Sequence, residues 1–183
     1  FLFGDYFKRD AIAFAWELIT EVWGIPTDRL WVSVFCGSDA APRDEQAARL
    51  WVEVAGVDPE RILELGESEN FWRMGDTGPC GPCSEMHVDL TGKGDTAGKL
   101  VNQDDPRCIE IWNLVFIQYN RVDEETLDPL PDKHVDTGAG FERLVAVLQN
   151  APTNYDTDLF SPILDRVQEL LGHTDAQREE NIV

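Results

Sequence analysis

Basic residues are scarce in this chain. Lys and Arg number 15 against 35 Asp and Glu in 183 residues, for a formal net charge of −20. Phosphate backbones are held by clustered cations, so this surface is not that of a general nucleic-acid binder, and any such role is local or supplied from elsewhere. Long apolar runs are missing too. The longest uninterrupted one, Ala11 to Trp16, is far short of a membrane span, and nothing at the front resembles a secretory leader. A cytoplasmic chain with no membrane partner is expected. Only four Cys are present, and they read as reduced thiols rather than a disulfide framework. Repeats and low-complexity tracts are also lacking. What the chain does have is apolar mass: 43% hydrophobic residues, with six Trp and nine Phe, can fill the core of one domain and the start of another.

The apolar pattern predicts mixed helix and strand. Asp10 to Thr20 is too continuously apolar for a surface helix and suits a largely buried one. Leu30 to Phe35 reads as a strand, Asp44 to Ala55 as an amphipathic helix, and Pro59 to Leu65 as a short helical turn with strand character. From Glu67 to Gly81 the chain is polar and rich in glycine and proline, yet carries Phe71, Trp72 and Met74, which predicts a long loop lining a pocket. Strands are expected over Glu85 to Leu90 and over Cys108 to Tyr119, the second covered on both faces. Thr91 to Pro106 is a turn-rich connection between them. A charged hairpin-like connection, Arg121 to Asp132, leads to a strand end at His134 to Asp136 and a glycine turn. A helix over about Phe141 to Gln149 and an amphipathic helical segment from Tyr155 to Leu171 follow. Residues 1–150 therefore read as one domain and 151–183 as the start of a second, all-helical one. Phe1 to Phe7 reads as the tail of a strand, so the N-terminus is expected to be cut inside an element.

Four constellations carry candidate chemistry. Residues 134–143, His-Val-Asp-Thr-Gly-Ala-Gly-Phe-Glu-Arg, place Gly138 and Gly140 before a helix and Arg143 just inside it. Glycines permit close backbone approach, a helix start offers N–H groups to an anion, and Arg adds a permanent charge, so a phosphate is one natural guest and a plain helix-start turn the alternative. Asp136, at the strand end, either binds a cation or caps the helix. Glu110 interrupts a strand that otherwise reads as core, and a buried carboxylate needs Arg, Lys or a metal ion beside it. Asn113, three residues on, can bond a ligand or a neighbouring loop. The fourth is Cys80-Gly81-Pro82-Cys83. Thioredoxin-like oxidoreductases carry this thiol pair after a strand and at the opening of a helix, whereas here it precedes a strand. Cys108 and His87 could complete a zinc set on paper, but the spacing matches none of the usual patterns and zinc is not expected.

Taken together, Asn70 to Glu85 (NFWRMGDTGPCGPCSE), Glu110 to Phe116 (EIWNLVF) and Val135 to Arg143 (VDTGAGFER) closely resemble the catalytic domain of the alanyl-tRNA synthetases. Phe3 to Lys8 and Asn154 to Asp158 resemble segments of the same family, so the resemblance covers nearly the whole chain in the family's order. It implies an α+β fold of class II type, an antiparallel sheet flanked by helices, here N-terminally truncated. Motif 1 and the motif 2 arginine that contacts the α-phosphate are expected to lie upstream of Phe1. By the resemblance, Arg143 contacts the γ-phosphate of ATP beside Gly138 and Gly140, and Glu110 holds Mg²⁺. Asp136 receives the ammonium of L-alanine, Asn113 and Val115 line the amino-acid site, and Trp72 with Met74 closes it. The implied reaction is alanyl-adenylate formation followed by transfer to the 3′ end of alanine tRNA, a partner engaged mainly through parts outside this chain. Two other readings stand beside it: a non-catalytic synthetase-like binding module, and a thiol oxidoreductase using Cys80 and Cys83.

Overall fold

The computed structural model of the chain describes residues 4–92, 96–124, 126–175 and 177. Residues Phe1–Gly140 and Phe141–Val183 form two compact units. The first is built on a six-stranded sheet in the order β2-β1-β4-β5-β6, with β3 paired to β4 off that path. The strands are β1 Leu30–Phe35, β2 Ile62–Leu65, β3 Phe71–Arg73, β4 Gly78–Asp89, β5 Cys108–Arg121 and β6 Leu127–Ala139. All neighbours are antiparallel except β1 and β2. Two parallel strands need a crossover between them, and helix α2 (Glu45–Glu53) lies in that connection. The sheet is therefore mixed, with an antiparallel body, and the class is α+β.

Helix α1 (Lys8–Glu17) runs on through one wide turn, Leu18–Val22, and buries Ile12, Ala15 and Ile19. Trp16 meets Trp51 of α2 edge to face at 6.2 Å, Phe7 meets Phe116 of β5 at 5.7 Å, and Trp23 meets Trp112 at 6.0 Å. Because side chains alternate along a strand, Phe116, Leu114 and Trp112 share the face that α1 covers, while Asn113 and Val115 point the other way. A buried ion pair ties α1 to the start of α2. Lys8 Nζ lies 2.6 Å from both carboxylate oxygens of Asp44, and Asp44 also accepts from Ala47 N at 3.0 Å as the helix cap. Desolvation lowers the Lys8 pKa from its ordinary value, against the attraction of Asp44.

Three expectations are corrected. Glu67 to Gly81 is not one loop: it holds the single helical turn α3 (Glu67–Asn70), strand β3 and the start of β4. The Gly-Pro-rich run joins the ladder because β4 shifts register against β5 between Cys80 and Cys83, and the bulge accommodates residues that a regular strand excludes. The connection after Arg121 is shorter than expected, since β6 already begins at Leu127. Pro129 and Pro131 fit there because β6 is an edge strand and need not donate on its outer side. Finally, Gly138 sits in no turn. It lies inside β6 opposite Asn113, and the ladder reaches Gly140, whose N–H donates to Ile111 O at 3.2 Å.

The second unit begins with α4 (Phe141–Gln149), which turns at Asn150. Thr153 and Asp156 form a reciprocal cap on the short turn Asn154–Asp156, and α5 (Ser161–Leu171) ends at Gly172, whose φ of +65° is the left-handed stop expected of glycine. Gln149 and Asp158 clasp each other through two hydrogen bonds of 2.5 and 3.1 Å. No helix among the described residues is long and apolar enough to cross a membrane.

Candidate active site

The sheet face turned away from α1 is unusually polar for its depth. One register row runs across it from Ser33 on β1 through Glu85 on β4 and Asn113 on β5 to Gly138 on β6. The next row along carries Cys83, Val115 and Asp136, and a further one pairs His87 with Glu110. Paired residues share a face, so strands distant in sequence bring Glu85, Asn113, Asp136, Val115 and Glu110 together. Trp72, from β3, packs with Cys83, Val115 and Ile117 into a small hydrophobic cluster beside them. A Cβ added to Gly138 would meet none of the described residues within 4 Å, so among them the space above that end of the row is open.

Glu85 is the most confined carboxylate of the group, only 6% exposed. Its Oε2 accepts from Ser33 Oγ at 3.1 Å and from Asn102 Nδ2 at 2.8 Å, while its Oε1 faces Asn113 Nδ2 at 3.4 Å. Burial pushes its pKa up to about 7, with a further upward push from nearby Glu110, against the hydrogen bond from Asn102. Asn70 donates to Ser33 Oγ at 3.0 Å and to Cys83 O at 3.1 Å, and His87 Nε2 lies 2.9 Å from Asn102 Oδ1. Glu110 is half-buried at a β5 register shift, so the full cost expected of a core carboxylate does not arise there.

Among the remaining expected site residues, Asp136 is half-buried and accepts from Thr137 N at 2.9 Å. Val115 is 7% exposed, whereas Met74 is 71% exposed. Arg143 lies in the first turn of α4, in the second unit, and is exposed. The residues that sequence reading missed as a functional group are Ser33, Glu85, Asn70, Asn102 and His87. Only Glu85 and His87 carry a signal in the sequence: they stand two apart around Met86, a spacing that puts two polar groups on one strand face.

Cys80 and Cys83 do not form an activated thiol pair. Both are buried within β4, not at a helix start, and they pack into separate hydrophobic clusters. Burial raises the Cys80 pKa and pushes that of Cys83 up to about 12, the reverse of what a reactive thiolate needs.

The family model described as tRNA synthetases class II (A) matches residues 1–183, the whole chain. The chain belongs to the class II (A) tRNA synthetases. Its curated relatives include the alanine–tRNA ligase of Chlorobium luteolum, 54% identical over 172 residues, which is 94% of this chain and 19% of the relative. The cytoplasmic alanine–tRNA ligase of Caenorhabditis elegans is 56% identical over 93% of this chain and 18% of its own. The mitochondrial enzyme of Saccharomyces cerevisiae is 55% identical over 92% of this chain and 17% of its own. This class II synthetase chain thus spans about a fifth of the length of the curated relatives it matches.

Proposed function

We propose that this synthetase chain forms the alanine-activating part of an alanine–tRNA ligase, condensing L-alanine with ATP to alanyl-adenylate and pyrophosphate before transfer to alanine tRNA. One observation carries the reading. Asp136 lies beside Asn113 and Val115 on an open sheet face, with Trp72 packed at its flank, which gives one carboxylate, one amide and a small apolar floor. Such a site matches an ammonium next to a methyl group. The identity to relatives named alanine–tRNA ligase supports the same substrate.

In this reading Asp136 pairs with the alanine ammonium and fixes the amino acid, so that an oxygen of its carboxylate faces the α-phosphorus. The new bond forms between that oxygen and the phosphorus as the bond to the departing pyrophosphate breaks. Arg143 neutralises the γ-phosphate, and Gly138 leaves the sheet surface bare for close approach of the nucleotide. Gly140 contributes by its small size rather than by its N–H, which is used by Ile111.

Mg²⁺ suits this donor set only as an ion that arrives with the nucleotide. No group of three or more His, Cys, Asp or Glu among the described residues could hold a metal, and Mg²⁺ is usually bound by one or two carboxylates with phosphate oxygens and water. Glu110 would hold it, and the ion would supply charge neutralisation to the phosphates. Selection against larger amino acids follows from the Val115 and Trp72 surface. Glycine is excluded weakly, since one missing methyl group is worth only about 1–3 kcal/mol.

The test is alanine-dependent ATP–pyrophosphate exchange by an enzyme of the relatives' full length carrying these 183 residues. Exchange stimulated by alanine above other amino acids supports the reading. ATP binding without exchange would favour the non-catalytic module.

A further inference from the structure

Four of the chain's 15 Lys and Arg residues meet around one cavity. Lys8, Arg43, Arg49 and Lys133 line a hollow of about 580 Å³ between the start of α1, the start of α2 and β6, with Asp44 and Glu45 as its carboxylates. In a chain of net charge −20 this is a local reversal of sign. It lies behind the candidate active site. Lys8 Nζ stands 5.2 Å from the Phe116 ring, which faces α1, whereas Asn113 and Asp136 face the other side of the sheet.

Two of the cations crowd the same ring. Lys8 Nζ is 5.5 Å and Lys133 Nζ 5.4 Å from the centroid of Phe7, and the charge of Lys133 adds to the desolvation that already lowers the Lys8 pKa. Asp44 answers Lys8 at 2.6 Å and is occupied by it and by the cap of α2. Lys133 is exposed and, among the described residues, has no ion pair. Like charges gathered without a shared counter-ion raise the energy of the folded state, and an anion bound between them lowers it. Arg43 pairs with Glu64 at 2.6 Å and Arg49 with Glu53 at 3.6 Å, but these side chains are exposed, and such pairs contribute little and give way to a stronger acceptor. Gln46 and Gln118 add neutral amide donors to the lining.

We propose that this cavity binds a compact multivalent anion, a free di- or triphosphate, held by Lys133, Arg49 and Arg43 beside the buried Lys8–Asp44 pair. None of the residues proposed above to contact the nucleotide lines it, so the inference does not rest on that reading. Size and charge select the ligand class. A hollow of this volume takes a small molecule, and several cations around one guest favour a dense negative charge. A long RNA backbone, by contrast, would run on to a surface whose overall charge is strongly negative and would be repelled.

The test is isothermal titration calorimetry of inorganic tripolyphosphate, without magnesium, into an enzyme of the relatives' full length carrying Arg143→Gln, which disables the phosphate contact proposed for that residue. Lys8 is left intact, because its removal would strand the Asp44 carboxylate in the interior. Binding should persist in this background. Lys133→Gln should weaken it about fivefold or more and Lys133→Gln/Arg49→Gln about twentyfold or more, whereas Lys133→Arg, which keeps the charge, stays within about twofold. Both substituted residues are exposed, so melting temperatures without the anion should match that of the background.

No tripolyphosphate binding in the Arg143→Gln background overturns the proposal, as does binding that Lys133→Gln/Arg49→Gln leaves unchanged. If the Arg143→Gln enzyme does not fold, the titration of the parent decides: a class of tripolyphosphate site that disappears in Lys133→Gln/Arg49→Gln supports the proposal, and no loss overturns it. A short RNA oligonucleotide that binds through Lys133 and Arg49 more tightly than tripolyphosphate overturns it as well.

Discussion

Gly81 and Phe116 pack backbone against backbone: a Cβ built on Gly81 would stand 2.0 Å from the Phe116 carbonyl oxygen and 3.2 Å from Gln118 N. That contact sits within the β4–β5 register shift and explains why the thiol-flanked run reads Cys-Gly-Pro-Cys without redox chemistry. Overpacking typically costs 1–3 kcal/mol, and here the obstacle is backbone that cannot rotate away. Gly81→Ala should therefore destabilise the chain by about 3 kcal/mol or more, read as a lower urea midpoint in equilibrium unfolding. A midpoint within experimental error of the parent would mean that the two strands separate more easily than this packing implies.

The four thiols should divide sharply in reactivity. Cys36 is exposed, while Cys80, Cys83 and Cys108 are buried, and burial pushes Cys83 and Cys108 up to about 12. We expect one thiol per chain to react rapidly with a disulfide reagent under native conditions, and the other three only after denaturation. Rapid modification of Cys80 or Cys83 in the native state would reopen the oxidoreductase reading.

Much of this fold is legible in the sequence, and the parts that are not share a cause. Helix α4 begins and ends at Phe141 and Gln149 as its periodicity predicts, and β1 covers the predicted Leu30 to Phe35, because local pattern and tertiary burial agree there. The Glu67 to Gly81 region reads as a loop because glycine and proline ordinarily mark loops, whereas here they serve a bulge whose partner strand lies more than thirty residues away. The site is legible in the same uneven way. Asp136, Asn113 and Val115 stand in recognisable motifs, but Ser33, Asn102 and Asn70 bear no local mark. They become a group only when four chain segments meet around Glu85.

Glu85 should leave a signature in the pH dependence of stability. Its folded pKa of about 7 lies above the ordinary glutamate value of about 4.3. The folded state therefore holds the proton more tightly than the unfolded one. The associated stabilisation is complete below the unfolded value and is lost as pH rises through about 7. Compared with Glu85→Gln, whose side chain does not titrate, the parent should lose melting temperature between about pH 5 and about pH 8. Parallel melting curves across that range would show that Glu85 keeps an ordinary carboxylate pKa.

The central claim is that Asp136 holds the alanine ammonium. Asp136→Asn keeps the shape of the side chain and its ability to accept from Thr137 N, but removes the charge. Breaking one partner of a desolvated ion pair costs about 3–5 kcal/mol, so the KM for alanine in ATP–pyrophosphate exchange should rise by about a hundredfold or more. The KM for ATP should stay within about threefold, because the nucleotide contacts proposed for Arg143 and Glu110 are untouched. Equal losses for the two substrates, or an unchanged KM for alanine, would contradict the account and make Asp136 a support of the β5–β6 edge instead.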